Sequence, residues 1–501
     1  MGTSAYDVVV RPSRIDVALG VLAVAYAVFA LVRAPAWTVD DALIVVRYAD
    51  NAVTHGRLAF NADGERVEGF TSVAAMAIAV AARAIHVDPL VVLDAVGALS
   101  YLALAPLLVL VARALRAPAG AGGSIALVGA TMGEHATHAT SGLETELFVA
   151  VTLATVLAFV RALRRPRSSL VPLAAACTVA ALVRPEGLVS GLFVVLVLAR
   201  RRFDRRALGG VARALVVPLA LVLALRLAYF GDVLPNTFYA KSGTWNAEHL
   251  RSLGALVLSA FGAPLGVAAI VAVLAALSGR RVRLPGPTSR IVVLACLGAL
   301  ALEALGYARS LPVMDYGRRF AFHGLAYVLV PAVALLGCSL RAARGLAAGP
   351  ALLALGIAAG ASQGIDRARI ENDRSREYER TLRTVYVPAA EWIRAHTKED
   401  ATVAVYPDAG VVPLVSERRA IDFGRLNDRF LARARSDAEV VRYFFDRAPD
   451  VLVVSEPQPG TLYDSGADAI VAAPAFAERY VLAGRFASSW RSAVRVYTRV
   501  R

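Results

Sequence analysis

Cysteine is nearly missing from this chain, and the three present, Cys177, Cys296 and Cys338, each lie inside an apolar run. Cysteine so placed behaves as a small hydrophobe, so the sequence offers neither a disulfide framework nor a cysteine metal site. It also lacks a glycine-rich phosphate loop, which excludes the usual nucleotide cradles, and a tandem repeat. The first apolar run has no small-residue cleavage pattern and so reads as a retained helix, not a removable signal. Acid is scarce against base, 39 Asp and Glu to 54 Lys and Arg. That surplus does not point to nucleic acid, because the arginines cluster beside the ends of apolar runs, where they set topology and meet anionic headgroups.

Apolar sequence is what the chain has in plenty. Hydrophobic residues make up 57% of its 501 positions while 19% are charged, a balance that predicts a membrane domain joined to something wetter. Runs of about 18 residues, enough for roughly 30 Å of hydrocarbon, recur from Ile15 to Ala361 and stop after Gln363. Arginine groups fall at 113–116, 161–167, 200–206, 280–290 and 341–344, and Arg11 and Arg14 precede the first run. The positive-inside rule makes all of these cytoplasmic. Spans near 15–33, 90–112, 123–140, 143–162, 168–183, 187–200, 208–229, 252–278, 290–308, 319–340 and 345–362 satisfy it. The predicted fold is therefore a polytopic α-helical membrane protein of about eleven transmembrane helices, with a cytoplasmic N-terminus. The stretch 71–85 is apolar but short and reads as an interfacial helix. Beyond it all, a charged helix at 370–383 and β-like runs at Ala401–Tyr406 and Val451–Val454 predict a small extracytoplasmic α/β domain over 365–501. It follows a transmembrane domain of residues 1–364, whose first outer loop is 34–89.

This topology leaves segments 37–51, 61–72, 141–146, 184–187, 230–242 and 315–319 together on the outer side. Ionisable groups beside a bilayer are costly unless used, so their convergence predicts a site. Asp40 and Asp41 directly follow the first span. One of them suits a base that deprotonates an acceptor hydroxyl; the bland reading has Asp40 capping a helix over 42–53. Lys241, with Tyr239 and Asn236, suits a phosphate at headgroup level, against a lysine that merely snorkels. Arg184, between an apolar run and Pro185, needs an anion, either Glu186 or a substrate phosphate. Arg318 and Arg319 pose the same choice against Asp315. His135 and His138, three apart, could share a helix face near Glu144 and Glu146, but no zinc ligand signature is present, and Glu144 reads better as a second acid near the site. One acidic pair leaves a divalent cation at Asp40/Asp41 open; no cofactor is required.

The strings Asp40-Asp-Ala-Leu-Ile-Val-Val-Arg-Tyr-Ala-Asp-Asn51 and Phe60-Asn-Ala-Asp-Gly-Glu-Arg-Val-Glu-Gly-Phe-Thr-Ser72 resemble the first outer loop of the GT-C polyprenyl-phosphate-dependent glycosyltransferases. Within that superfamily the chain is most similar to the terminal arabinofuranosyltransferases of the mycobacterial cell wall. Ser141-Gly-Leu-Glu-Thr-Glu146, Leu182-Val-Arg-Pro-Glu-Gly187, Gly231-Asp-Val-Leu-Pro-Asn-Thr-Phe-Tyr-Ala-Lys241, and Asp408-Ala-Gly410 with Ile421-Asp-Phe-Gly-Arg-Leu-Asn-Asp428 resemble its later motifs in order, over residues 37–430. The segment Val313-Met-Asp-Tyr-Gly-Arg-Arg319 departs from the family's glycine-rich acidic form.

The resemblance implies an enzyme of the bacterial inner membrane. It would move a sugar, arabinofuranose among the candidates, from a polyprenyl-phosphate donor to an extracytoplasmic glycan or glycolipid acceptor. Asp40 or Asp41 would be the base, and Arg184, Lys241, Tyr239 and Asn236 would attend the donor phosphate. Glu68, Glu144, Arg318, Arg319 and Asp408 would contact substrate. The alternative is a transporter or flippase of a lipid-linked sugar.

Overall fold

The structure is a computed structural model that describes residues 12–165, 169–200, 205–243, 245–279, 285–310, 314–343, 346, 348–488 and 492–500. Arg11, parts of the arginine groups at 161–167, 200–206, 280–290 and 341–344, and Val313 lie outside the described residues. The membrane domain contains α1 (Arg14–Arg33), α2 (Asp40–His55), α3 (Val73–Ala84), α4 (Pro89–Ala114), α5 (Ala121–Ala130), α6 (Gly133–Ala139), α7 (Thr145–Arg164), α8 (Val171–Val183) and α9 (Gly187–Arg200). There follow α10 (Arg205–Phe230), α11 (Asn236–Lys241), α12 (Glu248–Leu277), α13 (Pro287–Tyr307), α14 (Arg319–Phe322), α15 (Leu325–Ala343) and α16 (Gly349–Thr381).

Among the described residues, seven helices are long and apolar enough to cross a membrane: α1, α4, α7, the 208–230 part of α10, α12, α13 and α15. Side chains such as Leu221, Leu225, Leu258, Ile270 and Val273 stand open on their outer faces. A helix that stays apolar on its exposed face belongs in lipid, so the chain is a multi-pass membrane protein. The apolar run near 123–140 is divided between α5 and the seven-residue α6, both buried. The runs near 168–183 and 187–200 form α8 and α9, of 13 and 14 residues among those described, about 20 Å each over that length, against roughly 30 Å of hydrocarbon. They fold back on one another at Gly187, where a Cβ would stand 2.2 Å from the Ala180 carbonyl carbon.

The helix α16 passes through the expected boundary at 364/365 without a break, and runs by a wide turn, Leu382–Tyr386, into α17 (Val387–His396). Its polarity changes there but its backbone does not. The remaining strands are β1 (Thr402–Tyr406), β2 (Arg419–Asp422), β3 (Val451–Glu456), β4 (Tyr480–Ala487) and β5 (Ala493–Arg499), ordered β2-β1-β3-β5-β4. The first three are parallel, whereas β5 joins β3 and β4 antiparallel. Val403, Val405, Val451, Val453, Val494 and Val496 pack on one face against Ala389, Ala390 and Ile393 of α17. Leu43 of α2 enters that same cluster, so the sheet domain is seated on α2. The other face carries Leu452 and Val454 against Val440 and Phe444 of the helix Asp437–Arg447.

Candidate active site

Helix ends build the site. Helices α1, α8, α10 and α13 lead into it at their C-termini, and α2, α7, α9 and α14 begin there. Together they enclose a cavity of about 970 Å³. Its charged lining is Asp41, Glu144, Arg184, Glu186, Lys241, Glu303, Arg309 and Arg319, beside Tyr307. Ile44, Val45, Phe70, Val189, Leu234, Phe238 and Leu302 supply an apolar wall. A mostly apolar space with a few charged groups suits a ligand that joins a charged head to a hydrocarbon tail.

Arg184 is the hub. Its guanidinium pairs with Glu144 and takes Glu186 bidentately at 3.1 and 3.2 Å, and Tyr307 donates its hydroxyl proton to Glu186. Two carboxylates around one guanidinium leave a negative surplus, which makes Arg184 an anchored group more than a free cation. Arg319 pairs with Asp41 at 3.3 Å and donates to the Tyr316 hydroxyl at 2.9 Å. Lys241, one of two lysines in the chain, has neither hydrogen bond nor ion pair among the described residues, only the Phe320 ring 5.5 Å away. Burial pushes its ammonium down to about 8, against the opposing pull of Asp41; Arg319 and Arg184 add to the burial effect. A phosphate would supply the counter-charge that Lys241 lacks.

The neighbouring Asp40 points elsewhere. It is 1% exposed, and its carboxylate accepts the Gly410 and Val411 amides at 2.7 and 2.8 Å. Successive residues on a helix are about 100° apart, so one acid of the pair holds the sheet domain while the other faces the cavity. A Cβ at position 410 would stand 2.1 Å from the Asp40 carbonyl oxygen, so only glycine permits this approach. Burial raises the Asp40 carboxyl well above the usual carboxylate range, with repulsion from Asp408, while the two amides oppose. The expectation that Asp40 caps the helix is corrected: the helix already begins at Asp40, and Val39 occupies the cap without a side-chain bond.

Compared with solved structures, the chain is similar to ArnT from Cupriavidus metallidurans bound to undecaprenyl phosphate, with a TM-score of 0.59 at 13% identity over 96% of this chain and 97% of that one. Mycobacterial arabinofuranosyltransferase AftD gives 0.53 at 15% identity, over 97% of this chain but 40% of AftD. The Archaeoglobus fulgidus oligosaccharyltransferase gives 0.53 at 12%, over 97% and 74%. The chain has the GT-C fold. Residues 370–498 match a family described as a domain of unknown function, DUF8728. Among curated proteins no relative is found by sequence.

Within this GT-C fold the cavity gathers Asp41, Glu144, Arg184, Lys241 and Arg319 from the residues singled out by sequence. The others line different surroundings. Asn236 donates to the carbonyls of Arg425, Leu426 and Asp428 at 3.1, 2.9 and 3.0 Å, and the Arg433 guanidinium lies 3.9 Å over the Tyr239 ring; both fasten α11 to the sheet domain. Glu68 is buried against Arg226 at 2.9 Å. Asp408 accepts from Ser455 at 3.4 Å, and burial pushes it up to about 6. Arg318 reaches toward Glu134 at 3.9 Å.

His135 binds Glu146 at 2.9 Å, while His138 donates to the Gly317 carbonyl at 3.0 Å. Each histidine thus has its own partner, and among the described residues no group of three His, Cys, Asp or Glu could hold a metal ion. Sequence reasoning missed Glu303 and Tyr307. Glu303 is 4% exposed, and both its oxygens lack a hydrogen-bond partner. The signal was a lone acid within an apolar span.

Proposed function

We propose that this chain is a membrane glycosyltransferase that transfers a sugar from a polyprenyl-phosphate donor to a hydroxyl of an extracytoplasmic glycan or glycolipid in a bacterial inner membrane. The observation that carries this reading is the placing of Asp41, Lys241 and Arg319 on one cavity whose lining is otherwise mostly apolar. The polyprenyl tail lies along the apolar wall and its phosphate meets Lys241, beside Arg184 and Arg319. Asp41 takes the proton of the acceptor hydroxyl as its oxygen bonds to the anomeric carbon. The bond from that carbon to the phosphate oxygen breaks, and the phosphate leaves with the electron pair. Fixed cations stabilise the charge that grows there. The apolar wall and the shared fold with ArnT, whose structure holds undecaprenyl phosphate, support a polyprenyl donor. The sequence motifs and the likeness to AftD make arabinofuranose the first sugar to test.

Translocation of a lipid-linked sugar is the weaker reading, since the polar lining collects at one end of the bundle instead of along a path between its ends. The test is turnover by purified protein of a panel of polyprenyl-phosphate sugars, with Asp41→Asn alongside. A wild type that consumes none of the donors, or an Asp41→Asn variant that works at full rate, overturns the proposal.

A further inference from the structure

A second, smaller pocket of about 270 Å³ lies at the end of the bundle opposite the cavity. Four elements meet at it. The turn after α4 brings Arg116, the last residue of α7 is Arg164, the last turn of α15 carries Arg341, and the first turn of α13 supplies Pro287, Thr288 and Ser289. Three arginines, Arg116 exposed and Arg164 and Arg341 half-buried, thus share one rim, and no Asp or Glu lines it. The described stretches that contribute to it, 111–124, 161–165, 285–290 and 340–343, contain no acid at all. Asp16, on the adjoining helix, is already engaged by Ser13 and by the Gly120 and Gly123 amides.

None of the three arginines makes an ion pair among the described residues. Arg341 donates to the Arg116 carbonyl at 3.0 Å, and the buried Nε of Arg164 has no acceptor. Gly286 caps α13 without a side-chain bond, and the N–H groups of Thr288 and Ser289 have no acceptor among the described residues. Like charges collected beside the positive end of a 21-residue helix repel one another unless an anion joins them.

We propose that this pocket binds a phosphate group at the membrane surface, gripped by the forks of Arg116, Arg164 and Arg341 and by the first N–H groups of α13. Guanidinium forks and an open helix N-terminus are two independent ways of recognising phosphate oxygens. Their meeting at a membrane end makes a phospholipid headgroup the natural source. A soluble phosphate offers the same chemistry.

Two binding arms separate the sources. Full-length protein is placed in phosphatidylcholine nanodiscs with added phosphatidylglycerol, and retained lipid is read by native mass spectrometry; in detergent, inorganic phosphate is titrated calorimetrically. The combined Arg116→Gln, Arg164→Gln and Arg341→Gln variant is expected to lower binding about tenfold or more, since each lost charged hydrogen bond is worth about 1.5 kcal/mol or above. Arginine-dependent binding in either arm supports the site and names its source. Binding that is missing from both arms, or that the variant leaves unchanged, overturns it. If the triple change does not fold, the three single changes replace it, and no effect from any of them is equally fatal.

Discussion

Replacing Asp40 and Asp41 one at a time should separate holding from chemistry. Asp40→Ala removes both acceptors of the Gly410 and Val411 amides. Each hydrogen bond to a charged group is worth about 1.5–3 kcal/mol, and the amides left behind are buried. Removing a carboxyl that burial and Asp408 already disfavour returns part of that, leaving a net loss of about 2–4 kcal/mol. The weakened contact is the seat of the sheet domain, so cleavage by a protease between residues 382 and 400 should accelerate and the thermal midpoint should fall. Asp41→Asn gives up one ion pair with Arg319, whose guanidinium keeps its bond to Tyr316. The pair is buried, 5% and 14% exposed, so its cost in stability is about 3 kcal/mol, yet turnover per folded molecule should drop about 10²–10⁴-fold if the carboxylate is the base. Both variants are compared by thermal midpoint at one scan rate and by turnover per folded molecule. An Asp40→Ala protein as stable and as protease-resistant as the wild type refutes the assignment of holding to Asp40. Full turnover by Asp41→Asn refutes the assignment of chemistry to Asp41.

Three further outcomes follow from the same geometry. Lys241 carries its charge only below about 8, so donor KM should rise as pH climbs through that value, and Lys241→Met should raise KM at pH 7 while flattening the profile. Asp408 has its carboxyl raised to about 6 by burial; a raised acid binds more protons folded than unfolded, so its contribution to stability is present below the unfolded value and lost as pH rises through about 6. The thermal midpoint should therefore decline from about pH 4 to about pH 7 and level off above, and Asp408→Asn should reduce that decline. Glu303 is buried with neither oxygen paired, so Glu303→Leu should raise the thermal midpoint, a gain of about 1–3 kcal/mol. A fall in midpoint would show that the carboxyl has a structural partner.

The sequence made the membrane domain legible because hydrocarbon imposes length, apolarity and arginine flanks on every helix. It could locate the site's end of the bundle for the same reason: Asp41, Arg184 and Lys241 each follow an apolar run. It could not say which way a side chain turns. Asp40 and Asp41 are equivalent in composition and adjacent in the chain, and so are Arg318 and Arg319, yet only the second of each pair reaches the cavity. The partner that decides the first pair lies 370 residues away, in the Gly410 amide. The same long-range packing turns Asn236 and Tyr239 away from the cavity lining and toward Arg425, Leu426, Asp428 and Arg433. Residues expected to bind donor are thus placed to fasten the sheet domain to α11, whose last residue is Lys241. A change at Asn236 would consequently reach the donor site through the position of Lys241, loosening the domain and weakening donor binding together. Direct phosphate contact would alter donor binding alone, so measuring both quantities in Asn236→Ala decides between them.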